Sequence, residues 1–200
     1  MPFFPYGQEE MDHLSRRCPR MGELIARLGP LQRPIRPDPF QALVTSVLSQ
    51  QISSKGAATV CARFHALAGD VTPERVAALS VESLQSCGTS MRKAEYIKGI
   101  AEAALNGDID FAALADLPDD EVVRRLSALR GVGVWTAEML LIFSLCRPDV
   151  VSWLDLGIRK GMMSLYGKKT LSPRQFALYR KRYAPFGSVA SLYLWALAGQ

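Results

Sequence analysis

The sequence predicts an all-α protein. Three observations carry that prediction. Apolar side chains recur at helical spacing in several separate windows, helix-start and helix-stop residues bracket those windows, and no stretch sustains an alternation of period two. Eight to ten short helices are expected. The proline-rich segment PLQRPIRPDP (30–39) should join an N-terminal helix to the main body. In 40–53 the positions Phe40, Leu43, Val44, Val47, Leu48 and Ile52 fall on one helical face. Thr72-Pro73-Glu74 is a helix start, with a capping hydroxyl, proline at the first helical position and an acid in the first turn. A helix over 93–105 should stop at Asn106-Gly107. Asp119-Asp120-Glu121 puts negative charge at the next start, ahead of Val122, Val123, Leu126 and Leu129. Further helices are expected over 134–144, after Ser172-Pro173, and over the apolar stretch 188–197.

Composition bounds the function classes. Two hundred residues, 48% of them hydrophobic, can bury a real core. The net charge is +5, and eight of the 24 basic side chains lie between Arg159 and Arg182, where no acid occurs. Such a run is either a solvated face or a surface for an anionic partner such as nucleic acid. The four cysteines, Cys18, Cys61, Cys87 and Cys146, are spaced too widely for a zinc or iron–sulfur ligand set, and buried reduced thiols are expected. The opening MPFFPYGQEEMDHL lacks the pattern of a secretory signal. No apolar run approaches the ~20 residues that a membrane span requires. The chain therefore reads as a cytoplasmic protein without a membrane partner.

The stretch LRGVGVWTAEML (129–140) is the most informative. A helix from 119, the turn RGVG and a second helix to 144 make two helices joined by a glycine turn. The N–H groups in the first turn of the second helix have no intrahelical partner, and the positive end of the helix dipole lies behind them. Glycines at 131 and 133 would let a phosphate rest against those amides. The same glycines also suit a plain αα-hairpin. A dinucleotide fingerprint is excluded, because no strand precedes the turn and no third glycine follows.

LRGVGVWTA resembles the helix–hairpin–helix of the DNA glycosylase superfamily, and RPDVVSWLDLGIRKG (147–161) resembles the loop that ends in that superfamily's catalytic aspartate. FQALVTSVLSQQIS (40–53) and MRKAEYIKGIAEAALNGDID (91–110) resemble segments of its 3-methyladenine DNA glycosylase II branch. The likeness runs from about residue 35 to the C-terminus. It implies a two-lobed helical bundle with the active-site cleft between the lobes. One lobe would comprise 1–35 with 147–200, and the other 36–146, ending in the helix–hairpin–helix at 119–144.

The resemblance also implies the chemistry. Asp155 stands at the catalytic position, with Arg159 and Lys160 one helical turn on, where many relatives carry a second acid at what is Leu154 here. Position 135 is tryptophan instead of the lysine with which bifunctional relatives form a Schiff base, so a monofunctional hydrolase is expected. Its substrate would be double-stranded DNA containing alkylated purines, such as 3-methyladenine and 7-methylguanine, and its product an abasic site. The damaged base would flip out of the duplex into a pocket of Trp135, Trp195, Met139 and Gln50. Met91 corresponds to the apolar wedge that fills the gap. Gly131, Gly133, Val134, Thr136, Arg92, Lys93, Arg159 and Lys160 would hold phosphates. No catalytic metal or cofactor is expected, although the carbonyls of Leu129 and Gly131 suit a structural Na⁺ or K⁺. A monomer is expected, nucleoid-associated if the source is bacterial. Leu154, and Arg130 where proline is usual, leave open a non-catalytic DNA-binding module; a glycosylase for another lesion is the other alternative.

Overall fold

The computed structural model describes residues 2–199. Among these the secondary structure is helical, apart from one isolated bridge between Phe3 and Pro34. The chain divides into two compact units: Met1–Ile35 with Leu141–Gln200, and Arg36–Leu140. The second crossing thus falls inside a helix, six residues before the expected boundary after Cys146, because a continuous apolar helix carries the chain across it.

The terminal unit contains α1 (Gln8–Arg17), α2 (Pro19–Leu28), α10 (Leu156–Tyr166), α11 (Pro173–Arg180) and α12 (Gly187–Ala198). The first two replace the one expected N-terminal helix; Pro19 opens α2, since it cannot donate to the preceding turn. α12 is the centre of this unit. Every residue from Gly187 to Leu194 is buried, as expected of a helix that is apolar all round. Its buried hydroxyls hold the adjoining loop: Ser188 donates to the Arg147 carbonyl and accepts from the Val150 amide, and Ser191 donates to the Val150 carbonyl. α10 lies against α12 so closely that a Cβ on Gly161 would overlap the Leu194 carbonyl. Behind it, Cys18, Tyr166 and Tyr183 form a buried polar chain, with contacts of 3.3 and 3.1 Å. Burial raises the pKa of the Tyr166 hydroxyl well above the usual tyrosine value.

The central unit contains α3 (Pro39–Ser49), α4 (Ser54–Ala68), α5 (Pro73–Ala78), α6 (Val81–Ser86), α7 (Met91–Leu105), a 3₁₀ turn (Ala113–Asp116) and α8 (Asp119–Ser127). α9 (Val134–Phe143) begins in this unit and ends in the other. Capping chemistry explains most of the starts. Asp38, Ser53, Thr72, Ser80 and Ser90 each accept a hydrogen bond from the backbone N–H three residues on, worth about 1 kcal/mol apiece. The apolar face of α3 is buried, with Phe40 edge-on to Phe111 at 5.4 Å. The helix expected over 40–53 ends at Ser49, however. Gln51 adopts a left-handed backbone (φ 57°), and Ile52, placed on the buried face by periodicity, is exposed.

Candidate active site

The glycine turn is built on Tyr96. Gly131 has φ +86°, which side-chain-bearing residues rarely adopt, and a Cβ there would overlap the Tyr96 ring. Packing against Tyr96 therefore requires a glycine at 131. Gly133 is different. It is exposed, and a Cβ on it would meet nothing within 4 Å. Gly133 and Val134, both exposed, stand at the start of α9, where the helix dipole favours an anion. Thr136, expected with them at a phosphate, is only 4% exposed. Two outcomes separate the glycines. Gly131→Ala should lower the unfolding temperature, whereas Gly133→Leu should leave it unchanged and weaken binding to damaged and undamaged duplex alike. Calorimetry and fluorescence anisotropy read the two effects.

A cavity of about 340 Å³ in the central unit is lined by Ser46, Ser49, Gln50, Gln51, Trp135 and Thr136. It joins two of the expected base-pocket residues, Trp135 (39% exposed) and Gln50. The Gln50 amide also donates to the Gly131 carbonyl at 3.2 Å, tying the end of α3 to the turn. Met91 is exposed at the first position of α7, as a wedge requires, although Ser90 gives it an ordinary place in a capped helix start. Lys93, expected at a phosphate, is engaged by the protein itself. Its ammonium donates to the carbonyls of Leu48 (3.0 Å) and Gln50 at the C-terminus of α3, where the dipole favours a cation. Burial there lowers its pKa. Arg92 remains exposed, with its Nε bonded to the Tyr96 hydroxyl.

In the terminal unit Asp155 caps α10. Its Oδ1 accepts from the Ile158 amide at 2.7 Å and from the Trp195 indole N–H at 2.9 Å. Asp155 is 7% exposed, while Leu154 and Leu156 on either side are more than half exposed. Trp195 thus stands beside the aspartate, its ring 5.5 Å from that of Phe143 and tilted by 30°. A Cβ on Gly157 would come within 2.8 Å of the Trp195 ring and 3.1 Å of Asp155 Oδ1, so that glycine keeps room for the pair. Arg159, expected to face a phosphate and to favour the ionised aspartate, instead lays its guanidinium 5.0 Å over the Trp153 ring. Lys160 is exposed, and Met139 is half-buried on α9. Sequence reasoning missed Tyr96, the Trp195–Asp155 bond and Gly157. Only Tyr96, one turn after Arg92 on α7, left a local signal.

Among the described residues no helix is long and apolar enough to cross a membrane, and no three His, Cys, Asp or Glu side chains cluster as metal ligands. All four cysteines are free thiols.

A glycine turn between two helices, followed by a loop that ends in a buried, helix-capping aspartate, defines a helix–hairpin–helix arrangement. The chain belongs to the HhH-GPD superfamily of base excision DNA repair proteins, whose family model matches residues 44–185. It is 35% identical over 187 residues to DNA-3-methyladenine glycosylase 1 of Schizosaccharomyces pombe, covering 91% of this chain and 82% of the relative. A crystal structure of a DNA-3-methyladenine glycosidase from Bacillus halodurans superposes with a TM-score of 0.88 at 37% identity, over 100% of this chain and 94% of that one. The S. pombe 3-methyladenine DNA glycosylase in complex with abasic DNA gives 0.82 at 34% identity, over 94% and 95%.

Proposed function

We propose that the chain is a monofunctional DNA glycosylase that removes alkylated purines, 3-methyladenine and 7-methylguanine among them, from double-stranded DNA in base excision repair. The observation that carries this reading is Asp155, a buried carboxylate fixed by two N–H donors at the helix start where the superfamily pattern expects its catalytic acid. Alkylation makes the base cationic. When the C1′–N bond breaks, its electron pair goes to the base, which leaves neutral, and positive charge develops on the deoxyribose. A fixed carboxylate stabilises that charge without reorganising. Water then adds to C1′ and gives up a proton, for which Asp155 is the acceptor.

Trp135 supplies an electron-rich face for the cationic base, worth on the order of 2 kcal/mol when desolvated, and Gln50 a hydrogen-bonding amide on the same cavity. Trp195, the other expected base-pocket indole, donates its N–H to Asp155. Met91 fills the space that the base vacates, and Met139 shapes the pocket. The Gly133 and Val134 amides, with Arg92, take backbone phosphates. Leu129 O accepts the Val132 amide and Gly131 O accepts Gln50, one bond each. Each oxygen keeps a lone pair, which fits a loosely held Na⁺ or K⁺. The enzyme works as a monomer.

Incubation with methylated duplex should release free 3-methyladenine and 7-methylguanine and leave alkali-labile sites. Borohydride treatment on abasic DNA should trap no covalent adduct, because Trp135 cannot form an imine. Absence of any released base would make the chain a non-catalytic hairpin protein; a trapped adduct would make it a lyase.

A further inference from the structure

Tyr96 gathers two arginines onto one ring. The guanidinium carbon of Arg92 lies 5.5 Å from the ring centroid and that of Arg130 lies 6.0 Å from it. Arg92 also donates from Nε to the Tyr96 hydroxyl. Arg92 stands one turn before Tyr96 on α7, and Arg130 immediately precedes Gly131, whose backbone rests on the same ring. The aromatic side chain therefore brings a helix start and the glycine turn together on a pair of cations. Among the described residues neither guanidinium meets a carboxylate within 4.0 Å. Both side chains are exposed. A ring face attracts a cation, but two cations against one ring also repel each other. An anion held between them removes that repulsion and offers each a charge-assisted hydrogen bond. Arg92 and Tyr96 line a groove of about 460 Å³ with Ser90 and Gly133, and Arg130, immediately before its lining residue Gly131, is exposed, so an anion can reach the pair from solvent.

We propose that Arg92 and Arg130, held by Tyr96, clamp a single DNA backbone phosphate, adjacent to and separate from the one taken by the Gly133 and Val134 amides. The proposal rests on the reading of this chain as a DNA-acting enzyme and adds a second anchoring point to it. Tyr96 acts as the positioning residue: it fixes where the two forks sit, much as it fixes the turn. A clamp of this kind fixes the register of the duplex without reading its sequence.

The test is equilibrium binding of wild type, the single variants Arg92→Gln and Arg130→Gln, and the double variant to a duplex carrying a tetrahydrofuran abasic analogue, across about 0.05–0.5 M KCl. One lost phosphate contact should reduce the slope of log affinity against log salt by about 0.9 in the double variant, which is about eightfold weaker binding at 0.1 M salt. Each single variant should lose part of that amount, and undamaged duplex should lose the same factor as the abasic one. Unfolding temperatures equal to wild type would confirm that exposed side chains alone were changed. A slope that stays at the wild-type value overturns the clamp. A double variant that loses about 1.8 overturns the shared phosphate, because two independent contacts would then be present. If wild type itself releases no base from methylated DNA and does not bind the duplex, the underlying reading fails instead. If wild type does both and only the slope is unmoved, the clamp alone fails.

Discussion

Asp155→Asn is expected to slow base release by about 10²–10³-fold, the scale on which removing one preorganised electrostatic stabiliser acts. The structure makes this substitution a clean probe. Asparagine is as good a helix cap as aspartate, and its carbonyl oxygen can keep the bonds from the Ile158 amide and the Trp195 indole. What it loses is charge. The variant should therefore unfold at the wild-type temperature and bind the abasic analogue with about wild-type affinity. Single-turnover release of 7-methylguanine is the measurement. A rate within a few-fold of wild type would remove Asp155 from the chemistry. Alanine would be a poorer probe, since it also deletes the cap and costs about 1 kcal/mol of stability.

The second large effect is structural. Gly161→Ala would drive a methyl group into the Leu194 carbonyl of α12. That neighbour is backbone in a helix whose residues are buried from Gly187 to Leu194, so no rotamer change relieves the overlap. α10 must move away, loosening Ile158 and Met162, both fully buried. Overpacking of this kind typically costs 1–3 kcal/mol, against which alanine's better helix propensity returns up to ~1 kcal/mol. A fall of about 2–6 °C in the unfolding temperature is expected for a chain of this length. Because Asp155 begins α10, base release should fall as well. An unchanged unfolding temperature would mean that the two helices are not in the contact described.

What was legible in the sequence follows the range of the interactions. Caps act over three residues, so Thr72-Pro73 and Ser172-Pro173 read as helix starts, and each proves to be one. The glycine turn and the two helices around it were equally local. The break after Ser49 was not, because Ile52 continues the apolar period although Gln51 has left the helix. The partner of Asp155 lies 40 residues away, and nothing in the spacing of Trp195 marks it out. Lys93 and Arg159 illustrate the same limit. A basic residue near a binding motif suggests phosphate contact, yet tertiary neighbours decide. Lys93 is drawn to the carbonyls at the end of α3, and Arg159 to the indole of Trp153.

The seat of Gly131 on Tyr96 imposes an order on how this sequence can drift. Position 96 can shrink first, because a smaller side chain leaves the turn's backbone untouched. Position 131 cannot grow until that has happened, and even then its positive φ admits little beyond glycine, asparagine or aspartate. The two sites are one-way partners in descent. Among descendants of this chain, a side chain at 131 should occur only where the aromatic ring at 96 has already been lost.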